Sequence, residues 1–164
     1  MPAAATAFSP IAECTLELVS EAATAALARR IAGLARPGDV IALHGDLGAG
    51  KTFFARAFIG EGEVPSPTFN LVQTYQRGDG APIWHFDLYR LKQASEAVEL
   101  DIEDAFAEGI SLIEWPERLG ALLPAERLDV ALAIPAGESD ETTKRHATLT
   151  GRGRWAGLLD RVAA

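Results

Sequence analysis

Nine consecutive residues, His44-Gly45-Asp46-Leu47-Gly48-Ala49-Gly50-Lys51-Thr52, constrain the fold of this chain more than any other stretch. From Gly45 onward they satisfy the P-loop pattern G-x-x-x-x-G-K-[ST] at every fixed position. Val40-Ile41-Ala42-Leu43 before them is a short apolar run that predicts a buried strand, and Phe53 to Ile59 after them predicts a helix. A polyphosphate entering such a loop needs many N–H donors pointing inward, and side chains would block its approach. Gly45, Gly48 and Gly50 can take backbone conformations closed to residues with a Cβ. Together with the helix N-terminus near Lys51, the loop amides make an anion cradle. The pattern assigns the Lys51 ammonium to the β- and γ-phosphates and the Thr52 hydroxyl to Mg²⁺. Asp46 has to point away from the phosphates, because its charge would oppose binding. The competing view is a tight glycine turn beside an ordinary surface lysine, and the flanking strand and helix argue against it.

Composition narrows the function. The chain has 164 residues, enough for one domain, and its 48% hydrophobic and 23% charged content is that of a globular protein. No apolar run approaches the roughly 18 residues of a membrane span. Residues 1–12 read as a disordered leader, alanine-rich at the start and without the basic region of a signal peptide, and 13–164 as the single domain. The one cysteine, Cys14, excludes an intramolecular disulfide and a cysteine-based zinc cluster, so a reducing cytoplasm is the expected compartment. A net charge of −8 disfavours direct, tight binding to nucleic acid.

Taken in order, Cys14 to Val19 predicts an edge strand. Ser20 predicts the N-cap of a helix to about Ala35, with Ala23, Leu27, Ile31 and Leu34 on its buried face. Arg36-Pro37-Gly38-Asp39 is a turn. Residues 60–68 hold two prolines and two glycines, which preclude regular structure. Ser66 and Thr68 there carry hydroxyls suited to a γ-phosphate, Mg²⁺ or a water, although a plain connector fits equally. Phe69 to Tyr75 and Ile83 to Asp87 predict a hairpin turned at Arg77-Gly78-Asp79-Gly80. Ala94 to Ala107 is an acidic amphipathic helix with a break near Asp101. Gly109 to Glu114 is a short apolar strand, Trp115-Pro116-Glu117-Arg118 a turn, Leu128 to Ile134 and 145–150 two more strands, and Trp155 to Val162 a closing helix.

A protein of this kind supplies a carboxylate at the end of an apolar strand to hold Mg²⁺ directly or through water. Asp87 and Glu114 both qualify, and composition does not choose between them. His44 reads as strand-end packing and His85 as support for Asp87 by a hydrogen bond. No His/Glu cluster suggests a transition-metal site. Trp84 and Trp155 read as core or covering aromatics, and Arg152, Arg154 and Arg161 as a solvated basic patch that could touch a partner or phosphate.

Gly45 to Thr52, Ser66-Pro67-Thr68-Phe69, His85-Phe86-Asp87-Leu88-Tyr89-Arg90-Leu91 and Glu114-Trp115-Pro116-Glu117 occur in this order. Over about Leu16 to Leu132 the chain resembles the TsaE (YjeE) family, small bacterial P-loop ATPases required for threonylcarbamoyladenosine modification of tRNA. The resemblance implies an α/β P-loop NTPase-like, three-layer fold whose central sheet is mixed, partly antiparallel, and flanked by helices. It implies ATP as substrate and Mg²⁺ as cofactor, with Thr52 and Glu114 as metal ligands and Lys51, Asp87 and Glu114 as the catalytic set. ATP contacts would come from Asp46, Leu47, Gly48, Ala49, Gly50, Lys51, Thr52 and Glu117, with Ser20 and Glu21 by the adenine. Ser66, Pro67 and Thr68 would form a switch, and Trp115 would relay the nucleotide state. The implied partners are TsaB-like and TsaD-like proteins, which hold the tRNA, so this acidic chain would meet RNA only indirectly and no membrane at all. Hydrolysis by the chain alone would be weak and stimulated by those partners.

Other function classes leave different marks. A P-loop small-molecule kinase is the main alternative, but it needs an acceptor pocket and usually an arginine-bearing lid, and no clear lid is present. A regulatory GTPase would carry an Asn-Lys-x-Asp guanine signature, which is absent. A nucleotide-binding module without turnover would tolerate loss of Asp87 and Glu114.

Overall fold

The apolar runs assemble as strands β1 (Ile11–Leu18), β2 (Val40–His44), β3 (Val72–Gln76), β4 (Pro82–Asp87), β5 (Ile110–Glu114), β6 (Leu128–Ala133) and β7 (Arg145–Arg152). These come from a computed structural model that describes residues 10–60 and 71–164. They form one seven-stranded sheet in the order β1-β7-β6-β2-β5-β4-β3. Its centre is parallel, with β2 between β5 and β6 and β4 beside β5. Its margins are antiparallel, through β1/β7, β6/β7 and the β3/β4 hairpin. The α/β fold with a mixed sheet is therefore the one expected.

The pattern of burial explains the order. Every residue of β5 and all but the last of β2 are buried, as central parallel strands covered on both faces require. Helices α1 (Glu21–Leu34) and α2 (Lys51–Ile59) cover one face. There Leu27, Ile31, Phe54 and Phe58 pack with Ile41, Leu43, Leu112 and Val130. The other face carries α3 (Ile102–Glu108) and a 3₁₀ segment, Pro116–Leu122, whose Ile102, Ala105 and Leu119 pack with Val40, Phe86 and Ile113. Adjacent residues Val40 and Ile41 thus feed opposite cores, as the two-residue period of a strand dictates.

Helix α1 is held at both ends. The Ser20 side chain accepts a hydrogen bond from the Ala23 amide at 3.1 Å, the expected N-cap. No basic residue lies in the last turn of α1. Instead Arg77, in the hairpin turn, donates to the Ala32 and Ala35 carbonyls, and Arg154 donates to that of Leu34. Both cations meet the negative end of the helix dipole. Of the expected buried face, Leu27 and Ile31 are buried while Ala23 and Leu34 are only partly so; Thr24, Ala25 and Ala28 complete it.

Other differences are local. Strand β1 begins at Ile11, opposite Arg152, inside the stretch read as leader. The acidic helix does break at Asp101, in a left-handed conformation (φ 59°), into a 3₁₀ segment Ala94–Leu100 and α3. The turn after Trp115 tightens into the 3₁₀ segment already noted. The closing helix is a 3₁₀ segment, Gly153–Leu158, followed by α4 (Leu159–Ala163). That segment presses on β7 so closely that a Cβ on Gly151 would lie 2.5 Å from the Trp155 carbonyl oxygen. Among the described residues no helix is long and apolar enough to cross a membrane.

Candidate nucleotide site

The glycine loop leaves the C-terminal end of β2 and enters α2 at Lys51. Gly45, Gly48 and Gly50 have φ of 146°, 82° and 106°, in the region that favours glycine. At Gly45 a Cβ would also fall 2.6 Å from the Leu132 carbonyl oxygen, so both the turn and the packing against β6 require glycine.

Strands β4 and β5 end beside this loop, and their parallel register sets Asp87 opposite Glu114. A cleft of about 460 Å³ opens there, lined by the loop, Lys51, Thr52, Asp87, Tyr89, Glu114 and Trp115. Within it the Thr52 hydroxyl donates to Glu114 Oε1 at 2.9 Å. The other oxygen, Oε2, accepts from His85 Nε2 at 2.7 Å. His85 is fully buried, and its Nδ1 has no partner among the described residues. The expected support of Asp87 by His85 is thus corrected: His85, Asp87 and Glu114 share one face of the sheet, and His85 bonds across to Glu114 rather than along its own strand to Asp87. Asp87 accepts instead from the Tyr89 amide at 3.2 Å.

Lys51 is almost completely buried (5% exposed). Its ammonium donates to the Gly45 carbonyl and, at 3.5 Å, to that of Asp46. It also lies 3.5 Å from the centre of the Trp115 ring, a cation–π contact. Burial pulls its pKa below that of an ordinary lysine, against the opposing charges of Glu114, Glu117, Asp87 and Asp46. Burial pushes Asp87 the other way, above the usual carboxylate range, and the nearby Glu114 charge adds to this. Trp115 holds its place with a left-handed backbone (φ 59°), a strained conformation for a non-glycine residue, and its indole packs on Tyr89 at 4.9 Å.

Most residues expected at the site do converge. Leu47, Gly48, Gly50, Lys51, Thr52, Asp87, Glu114 and Trp115 share one cleft. Asp46 is exposed and lines a separate recess with Leu132, Ala133 and Asp140. Ala49 is buried behind the loop. Glu21 lines a smaller recess of about 220 Å³ next to Gly50 and Phe53, whereas Ser20 is occupied as the helix cap. Glu117 is exposed just beyond Trp115. Ser66, Pro67 and Thr68 lie outside the described residues.

Two expectations about other side chains are corrected. His44 is more than strand-end packing, since its Nε2 donates to Asp129 Oδ1 at 2.8 Å. Arg152 and Arg154 are not a solvated patch; they pair with Asp129 and Asp39 at 2.9 and 2.6 Å. One neighbour of the loop escaped the sequence reading altogether. Arg145 of β7 donates through Nε to the Ala49 carbonyl at 2.7 Å and through Nη2 to that of Gly48 at 3.2 Å. Nothing in its local sequence marks it, because the contact spans 96 residues.

Among the described residues no three His, Cys, Asp or Glu side chains converge in a metal-binding group. The donors at the cleft are a hydroxyl and a carboxylate, the hard oxygens that suit a cation completing its shell from a bound phosphate and water. Fold and loop together define an α/β protein of the P-loop-like class. The family of threonylcarbamoyl adenosine biosynthesis protein TsaE matches residues 18–145. The TsaE of Rickettsia felis is 44% identical over 124 residues, covering 73% of this chain and 72% of its own. That of Bacillus subtilis is 40% identical over 125 residues, covering 73% and 77%. The crystal structure of Bacillus subtilis YdiB aligns with a TM-score of 0.71 at 30% identity, covering 93% of this chain and 95% of that one. The chain belongs to the TsaE family of threonylcarbamoyladenosine biosynthesis proteins.

Proposed function

We propose that this protein binds and hydrolyses ATP with Mg²⁺ and that this cycle serves TsaB-like and TsaD-like partners in threonylcarbamoyladenosine modification of tRNA. The observation that carries the reading is the Thr52–Glu114 pair lying beside the buried Lys51 ammonium, under a loop of amides. The residues fit the ion. Thr52 Oγ1 and Glu114 Oε1, two hard oxygen donors 2.9 Å apart, would hold it. Mg²⁺ bound there would neutralise charge on the β- and γ-phosphates.

The chain's own groups do the rest. The Lys51 ammonium exchanges its carbonyl and indole partners for phosphate oxygens and stabilises the charge that develops on the transferring phosphoryl group. Loop amides grip the remaining oxygens. Asp87 accepts a hydrogen bond from the attacking water and orients it; the water oxygen bonds to the γ-phosphorus as the bond to the β-bridging oxygen breaks, leaving ADP and inorganic phosphate. Trp115, with its ring against Lys51, senses whether that ammonium has moved. Glu21, Phe53 and the recess beside them offer the base a place next to the loop. Net charge of −8 suits a division of labour in which the partners hold the RNA.

Calorimetry with ATP, with and without Mg²⁺, and a phosphate-release assay with and without the two partners test the reading. Binding that tightens with Mg²⁺ and turnover that rises with partners are expected. Absence of nucleotide binding would sink it, and label from ATP appearing on a metabolite would favour a kinase.

A further inference from the structure

We propose that Arg145 is a positioning residue for the phosphate-binding loop, holding the Gly48 and Ala49 carbonyls outward so that the loop keeps its anion-binding shape. The inference rests on the ATP-binding reading and deepens it. A guanidinium carries five N–H donors. Arg145 commits them to four backbone carbonyls: Ala49 through Nε, Gly48 through Nη2, and Thr142 and Lys144 through Nη1, both at 2.7 Å. With its donors engaged in this way it acts as a clamp between two chain segments, not as a free cation waiting for phosphate.

The clamp has a defined consequence for the loop. In a trans peptide the carbonyl of one residue and the N–H of the next point to opposite sides, and no cis bond occurs among the described residues. Drawing the Ala49 carbonyl toward Arg145 therefore turns the Gly50 N–H away from it, and Gly50 lines the cleft that holds Lys51 and Thr52. Glycines leave the loop free to take other conformations, and the Arg145 contacts add an external constraint to the internal bond from the Ala49 N–H to the Asp46 carbonyl. The constraint is firmly based. Arg145 begins β7, pairs with Leu18 of β1, and sits so near the loop that a Cβ on Gly50 would be 3.5 Å from its Nε. Its charge, lying behind the loop, also adds a positive potential where phosphates arrive.

Arg145 also lines the smaller recess with Glu21, Thr24 and Phe53, so loss of nucleotide affinity alone would not separate the two roles. Tripolyphosphate, which lacks base and ribose, does separate them. Calorimetry on the full chain with ATP and with tripolyphosphate, for wild type, Arg145→Ala and Arg145→Lys, is the test, alongside thermal melts and ATPase kinetics. Arg145→Ala is expected to weaken both ligands by about tenfold, to raise KM, and to leave kcat at saturation within about threefold. Arg145→Lys, which keeps the charge but not the fork, is expected to recover only part of the loss. Unchanged tripolyphosphate affinity in Arg145→Ala, with a wild-type-like melt, would overturn the clamp while leaving ATP binding intact. Complete recovery by Arg145→Lys would overturn it too, since charge alone would then suffice. Failure of wild type to bind either ligand would remove both the clamp and the reading beneath it.

Discussion

Two buried carboxylates flank the central strand β2, and they are held in opposite ways. Asp129, on β6, accepts from His44, Arg127 and Arg152 at 2.8, 2.9 and 2.9 Å. Burial disfavours its ionised form, yet those three donors outweigh this and hold its pKa well below the usual carboxylate range. Glu114, on β5, has a hydroxyl and an imidazole for partners and faces a cleft shared with Asp87. Asp87 accepts from the Tyr89 backbone amide, and its pKa is raised. A carboxylate surrounded by cations has its work done within the fold. The Asp87–Glu114 pair faces one cation, Lys51, and on the proposed reading is arranged for a second that arrives with the nucleotide.

Removing the cation on the open side should have the largest effect. Lys51→Ala is expected to reduce ATP hydrolysis by about 10² to 10³ in kcat without lowering the melting temperature, measured by phosphate release and calorimetric melts. A melt that collapses would make Lys51 a structural cation and erase the contrast.

On the closed side the effect should be on stability. Asp129→Asn leaves three donors without their anion and is expected to cost about 2 kcal/mol, reduced from the fully buried case because the partners are partly exposed. Nucleotide affinity should stay within about twofold of wild type. The sign in pH follows: the depressed pKa gives a contribution fully present above the unfolded-state value of about 4, and lost as pH falls through the folded value. Urea titrations at pH 7 and pH 3 check this, with the wild-type advantage over Asp129→Asn expected to shrink in acid.

A finer test concerns orientation. His85→Leu should weaken Mg²⁺-dependent tightening of nucleotide binding by about tenfold, because the carboxylate that meets the ion loses its support. His85→Gln, which can still donate to Oε2, should recover part of it. Equal loss in both would mean that burial, not the hydrogen bond, sets Glu114.

The smallest effect is the most diagnostic. Asp87 has a folded pKa above its unfolded one, so its contribution is present at low pH and is lost as pH rises through the folded value. At neutral pH the ionised group is a burden, and Asp87→Asn should raise the melting temperature of the nucleotide-free protein by about 1–2 °C. Mg²⁺ and nucleotide should reverse the order of stability. A lower melting temperature would mean that Asp87 is already compensated.

The open side was largely legible in the sequence, because its parts are local signals. Strand, glycine loop and helix are contiguous, and Asp87 and Glu114 end short apolar runs. The closed side was not. His44, the near neighbours Arg127 and Asp129, and Arg152 come from three places along the chain, and only the sheet order, with β6 between β2 and β7, brings them together. Arg145 and the Arg77 and Arg154 caps of α1 were missed for the same reason. His85 was assigned the wrong partner because period two gives the face of a strand but not the neighbour across it. The hairpin and the break at Asp101 were readable, since turn residues and a change of pattern mark them locally.

Lys51 lies against its own loop carbonyls and the Trp115 ring, so an anion entering the cleft competes with those partners for the ammonium. On the proposed reading, a chain of phosphoryl groups replaces those carbonyls and engages the loop amides at the same time, which a sulfate or a single phosphate is too short to do. A preference for polyphosphate over small anions follows, on that reading, from where Lys51 sits as well as from the loop amides.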